Sequence, residues 1–160
     1  FSNMNTNKHL TIGSLAPDFT LNSNLGTVFN LKKSLGKKII VLFFYPKNNT
    51  PGCTKESILF KNYFNQFQNY GAELIGISSD TVESHCNFIS KYNLPFILLS
   101  DLNNKVRKLY SSYFFLNLFP GRDTFIIDKN GIIQYIFSSQ FKINQHVTKA
   151  LKIVKKLKTI

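Results

Sequence analysis

The chain has 160 residues, 43% of them hydrophobic, with a formal charge of +12 from 20 Lys and Arg against 8 Asp and Glu. That length supports one well-buried domain over 1–160 and is short for two. The longest apolar run, Ile39 to Tyr45, is of strand length, far below the roughly 18 residues that a membrane-spanning helix needs, so a soluble protein is expected. Two cysteines do not make a disulfide-stapled scaffold and fit a reducing, intracellular compartment. The positive charge suits a polyanionic partner. The chain is also rich in Asn, Ile, Phe and Tyr, residues that share A/T-rich codons with Lys, so base composition is the simpler source of the excess. The polar, patternless Phe1 to Lys8 reads as a flexible segment at the start of a mature or trimmed chain.

Taken in order, Pro17 to Leu21 and Thr27 to Phe29 flank the turn-rich Asn22 to Gly26 and predict an N-terminal hairpin. Asn30 is placed to cap a short helical segment that reaches Leu35 and is ended by Gly36. Ile39 to Tyr45 predicts a fully buried strand. The Pro46-Lys47-Asn48-Asn49-Thr50-Pro51-Gly52 run after it forces a loop. Phe60, Tyr63, Phe64 and Phe67 then recur at helical spacing, which predicts one helix to about Tyr70 with Cys53 in its first turn. Glu73 to Ile77 reads as a strand, Asp80 or Thr81 to Tyr92 as a helix, Phe96 to Leu99 as a strand and Asn103 to Tyr110 as a short helix. Ser111 to Pro120 carries no clear pattern. Thr124 to Asp128 and Ile132 to Ile136 flank Lys129-Asn130-Gly131, the clearest hairpin signal, with Asn-Gly suited to the positive φ angles of a tight turn. From about Asn144 an apolar stripe of Val147, Ala150, Leu151, Val154 and Leu157 opposes Lys149, Lys152, Lys155, Lys156 and Lys158, a terminal amphipathic helix. This order predicts an α/β domain with a mixed central sheet covered by helices on both faces.

The chemistry centres on Cys53. At a helix start, backbone N–H groups are unpaired and the dipole is positive, a setting that favours thiolate. Phe44-Tyr45-Pro46-Lys47-Asn48-Asn49-Thr50-Pro51-Gly52-Cys53-Thr54-Lys55-Glu56 resembles the active-site signature of the peroxiredoxins, in their bacterioferritin comigratory protein or peroxiredoxin Q branch. The likeness extends to Gly13-Ser14-Leu15-Ala16-Pro17-Asp18-Phe19, Gly76-Ile77-Ser78, Leu94-Pro95-Phe96, Pro120-Gly121-Arg122-Asp123-Thr124 and Asp128-Lys129-Asn130-Gly131. It implies a thioredoxin-like fold and reduction of hydrogen peroxide or alkyl hydroperoxides through a Cys53 sulfenic acid. It also implies that Arg122 stabilises the thiolate and the transition-state charge, that Thr50 contacts thiolate and peroxide through its hydroxyl, and that Pro46 shields the site. Glu56, one turn into the helix, is expected to orient Arg122 rather than act as a base.

The second thiol leaves two readings. Many members of the branch carry a resolving cysteine five residues after the first, where this chain has Ile58; others carry it on the following helix, where Cys86 stands. The resemblance therefore implies an intramolecular Cys53–Cys86 disulfide, reduced by thioredoxin or a similar dithiol protein, and requires Cys53 to leave its helix. Against it, Val82, Cys86 and Ile89 share a helical face, which makes Cys86 a candidate small core residue and leaves an external thiol as reductant. His9, His85 and His146 show no ligand spacing with the cysteines, so neither a metal nor a cofactor is expected. A separate class, a nucleic-acid module acting through the lysine face of Val147 to Ile160, lacks the stacking aromatics such surfaces use. The resemblance implies a monomer and favours a plastid-type organelle over nucleus or bacterial cytoplasm.

Overall fold

The computed structural model describes residues 10–116 and 118–158. The expected flexible segment Phe1 to Lys8 lies outside them. Every residue of the predicted central strand, β3 (Ile39–Phe44), is buried, because both faces of the sheet are covered. Alternation sorts its side chains into two cores. Ile39, Val41 and Phe43 join one with Phe60, Phe67, Phe88, Val147 and Val154; Ile40, Leu42 and Phe44 join the other with Leu31, Val106, Tyr110 and Phe125.

The N-terminal hairpin is β1 (Thr20–Ser23) and β2 (Val28–Asn30), antiparallel with Leu21 opposite Phe29. Asn30 then caps α1 (Leu31–Ser34), its side chain accepting from the Lys33 amide. After β3 come α2 (Pro51–Asn62), α3 (Phe64–Asn69), β4 (Ala72–Ser78), α4 (Val82–Tyr92), β5 (Ile97–Ser100) and α5 (Lys105–Leu109). A small hairpin follows, β6 (Tyr113–Phe114) with β7 (Phe119–Pro120), in the stretch that carried no sequence signal. The chain closes with β8 (Asp123–Ile127), β9 (Ile133–Ser138) and α6 (Ile143–Lys158). The main sheet runs β2-β1-β5-β4-β3-β8-β9. Its β3–β4 and β4–β5 pairs are parallel and the others antiparallel, the mixed α/β arrangement expected.

Two local expectations change. The helix predicted from Cys53 to Tyr70 is two helices, parted at Tyr63 (φ −101°, ψ 5°). The break falls beside Asn62 and Asn65, residues whose side chains compete for backbone hydrogen bonds, and Phe60 and Phe67 stay on one core across it. The β8–β9 turn is not a two-residue turn with both φ positive. Only Gly131 (φ 83°) is left-handed, its amide donates to the Asp128 carbonyl, and the Asp128 carboxylate accepts from the amides of Asn130 and Ile132.

Candidate active site

The β3 strand ends at the Tyr45-Pro46 corner, and the loop that follows delivers Thr50 in extended conformation as the N-cap of α2, with Pro51 at the first helical position. Cys53 is the third helical residue, its amide among the unpaired donors of the first turn. The side chain is 1% exposed. Register brings the opposing cation: β8 runs antiparallel to β3 with Asp123 opposite Phe44, so Arg122 lies beside the strand end that feeds the loop. Its Nη2 is 3.4 Å from Cys53 Sγ, its Nη1 is 2.7 Å from Glu56 Oε1, and its Nε donates to the Gln140 carbonyl at 3.2 Å. Gly52 makes this approach possible, since a Cβ there would stand 3.0 Å from Arg122 Nη2 and 3.1 Å from Ile143 Cδ1.

Glu56 follows Cys53 by three residues, on the same face of α2, and is 1% exposed. Burial pushes its carboxyl up to about 7 despite the opposing pull of Arg122. His146, from α6, is fully buried and held neutral, lowered by burial to about 4; its Nδ1 lies 3.8 Å from Glu56 Oε2. The Thr50 hydroxyl donates to the Lys47 carbonyl at 2.9 Å, and Pro46 is half-buried at the start of the loop.

Several supports carried no sequence signal. Arg107, 1% exposed, donates to the carbonyls of Tyr45 (2.6 Å), Gly121 (2.8 Å) and Ser112 (3.1 Å), which ties the β3 corner to the segment bearing Arg122. Nothing local distinguishes it from the neighbouring Lys105 and Lys108. Asn48 fastens the loop to α4: Tyr45 donates to its Oδ1 at 2.6 Å, its Nδ2 lies 3.0 Å from both Ser84 Oγ and His85 Nδ1, and its amide donates to Asp80 at 2.9 Å. His85 Nε2 meets the Leu99 carbonyl at 3.0 Å.

The same contacts decide which face of α4 is fully buried, and the one shared by Val82, Cys86 and Ile89 is not it, although Ile89 packs against the core. His85 and Phe88 are its buried residues, while Val82, Cys86 and Ile89 are half-buried, because β5 offers the His85 ring a carbonyl acceptor and the loop a donor. Cys86 is a free thiol whose Sγ donates to the Asn24 carbonyl at 3.0 Å, on the turn of the N-terminal hairpin. Among the described residues, no group of three or more His, Cys, Asp or Glu is placed to hold a metal.

A buried thiol at the head of the helix that follows a central strand, faced by an arginine just ahead of the neighbouring antiparallel strand, defines a thiol-based redox protein of thioredoxin-like fold. Residues 12–136 match the AhpC/TSA family. Over 151 residues the chain is 45% identical to a chloroplastic peroxiredoxin Q from Sedum lineare, spanning 93% of this chain and 80% of that one. A chloroplastic peroxiredoxin Q from Populus jackii is 42% identical over 146 residues, 91% of this chain and 68% of its own. Among solved structures, peroxidoxin BcpB from Mycobacterium tuberculosis superposes with a TM-score of 0.86 at 34% identity, over 93% of this chain and 99% of that one. The Xanthomonas campestris bacterioferritin comigratory protein, solved as trapped intermediate and ligand complexes for its alkyl peroxide reduction activity, gives 0.81 at 28% identity, over 88% and 92%. The chain belongs to the AhpC/TSA family: it is a peroxiredoxin of the Q or bacterioferritin comigratory type, a thiol-dependent peroxidase.

Proposed function

We propose that Cys53 is the peroxide-attacking thiol and that Arg122 is its electrostatic partner. The 3.4 Å contact between Arg122 Nη2 and Sγ at the head of α2 carries this reading. The Cys53 thiolate attacks the terminal oxygen of a hydroperoxide; the S–O bond forms, the O–O bond breaks, and the departing oxygen takes up a proton to leave as an alcohol or water. The guanidinium and the α2 amides face the negative charge as it passes from sulfur to oxygen. Pro46 screens the sulfur from bulk water. The Thr50 hydroxyl, with its proton engaged at Lys47, keeps lone pairs with which to accept from the incoming O–H. Glu56 fixes the guanidinium from behind.

The sulfenic acid is then attacked by Cys86, giving a Cys53–Cys86 disulfide and water, and a thioredoxin-type dithiol returns both thiols. Support comes from the half-exposed position of Cys86 and from Ile58, which excludes a bridge within α2. The chloroplastic relatives favour a plastid as the site of action. The hydrogen bond from Cys86 to Asn24 favours a second reading, in which Cys86 stays docked and an external thiol resolves the sulfenic acid.

Replacing Cys53 with Ser should abolish peroxide turnover; retained turnover overturns the assignment. After one equivalent of peroxide, peptide mapping should find Cys53 joined to Cys86. A persistent Cys53 sulfenic acid establishes the external-thiol route instead.

A further inference from the structure

Glu56 Oε2, the carboxylate oxygen turned away from Arg122, is buried and has no hydrogen-bond partner. An ionised carboxylate in that position bears an uncompensated desolvation cost, so the groups facing it decide its state. The nearest is His146. Its Nε2 is 2.7 Å from the Ser139 carbonyl, which can only accept, so Nε2 carries the ring proton. In the neutral ring, Nδ1 then carries no proton: its single lone pair accepts from Thr124 Oγ1 at 2.8 Å, and the electron-rich nitrogen faces Oε2 at 3.8 Å. A nitrogen with no proton to donate cannot stabilise an ionised Oε2, and its partial negative charge favours the neutral, protonated carboxyl.

Charge counting points the same way. With Glu56 ionised, its charge already balances Arg122, and a Cys53 thiolate would bring the buried trio to −1. With Glu56 protonated, thiolate and guanidinium balance each other. We propose that His146 is a positioning residue for the peroxidase reaction: its unprotonated Nδ1 makes Glu56 Oε2 the resting place of the proton that leaves the Cys53 thiol. The S–H bond breaks, an O–H bond forms, the trio stays neutral and no other reactant is consumed. Arg122 is thereby left to the thiolate. The inference rests on Cys53 as the attacking thiol.

The other charged groups around the pair do not replace this contact. Asp123, at the head of β8, disfavours charge on Glu56; its carboxylate accepts from the Ser112 hydroxyl. Arg122 disfavours protonation of His146. Arg107, from α5, spends its donors on carbonyls, Ser112 and Asn104. Lys149, on α6, sits over the Phe137 ring that packs edge-on against His146.

The test follows Cys53 alkylation by iodoacetamide against pH, read on the Cys53 peptide. His146→Leu should move the midpoint up by about one pH unit and lower the peroxide rate at pH 6 about tenfold. In a Glu56→Gln background, where a neutral amide already leaves Arg122 to the thiolate, His146→Leu should have no further effect. His146→Asn, which can present an oxygen in place of Nδ1, should restore the midpoint to within a few tenths of a unit. An unchanged midpoint with a lowered Tm, or an equal shift in the Glu56→Gln background, overturns the proposal. The unmodified protein gives an independent reading: a carboxylic-acid C=O band in its infrared spectrum at pH 6.5 that Glu56→Gln removes. Absence of that band also overturns it. The alkylation midpoint and the infrared band are both read without peroxide, so they stand apart from the turnover of Cys53→Ser, on which the parent assignment depends.

Discussion

Arg122 divides one guanidinium between two acids, with Nη1 on Glu56 and Nη2 on Cys53, and it is 6% exposed. In so dry a place each contact is strengthened, and the group cannot be replaced by solvent. Arg122→Met should therefore lower the second-order rate with peroxide by about 10²–10³, the range for loss of one preorganised donor at a developing oxyanion. Stopped-flow consumption of peroxide checks this. Arg122→Lys should recover only part of the loss, because a single ammonium cannot reach both acids in the fork that the guanidinium spans.

At the scale of elements, the site is a junction of α2, the β7–β8 corner and α4. The N-cap of α4 is Thr81, whose hydroxyl accepts from the Ser84 amide at 3.0 Å. The first turn it secures bears Ser84 and His85, both bonded to Asn48 of the active-site loop, with Cys86 next in sequence. Thr81→Ala should cost about 1 kcal/mol. Hydrogen exchange should speed up in the first turn of α4, and alkylation of Cys86 should accelerate in parallel. Unchanged exchange there would show that the Asn48 contacts alone hold the turn.

Across the whole molecule, buried titratable groups set how stability follows pH. His146 has its folded value lowered, so its contribution is full above the unfolded value of 6.5 and is lost as pH falls toward about 4. His85, lowered by burial, acts in the same direction. Glu56 acts in the opposite sense. Its folded value, raised to about 7 from 4.5, makes the folded state hold an extra proton, so its contribution grows as pH falls through 7 and levels off below 4.5. Relative to the Glu56→Gln variant, the wild-type protein should thus gain about 3 kcal/mol of stability between pH 8 and pH 4. Urea unfolding at a series of pH values measures the difference; a flat difference would mean that Glu56 titrates alike in the folded and unfolded states. The terminal helix shows the same economy with charge. Lys149 lies over the Phe137 ring, Lys155 and Lys158 lie over Tyr70, and Lys158 also donates to the Asn69 carbonyl, so part of the expected basic face is engaged by the protein itself.

What the chain determines by itself is whatever depends on neighbours in sequence. The buried strand Ile39 to Phe44, the loop forced by Pro46 and Pro51, the capped start of α4 and the placement of Cys53 in a first helical turn were all legible, since periodicity and capping are local. So was the signature that marks the family. The Tyr63 break and the single left-handed residue at Gly131 were not, because each depends on packing around a segment whose local signal allowed another form. The tertiary structure alone decided the electrostatics. Arg122 meets Glu56 and Cys53 across separations of 66 and 69 residues, and Arg107 reaches Tyr45 across 62. His146 joins them only because α6 packs over the end of β8. Such contacts are fixed by strand register and helix docking, and no spacing along the chain records which buried cation, acid or imidazole will share one dry pocket.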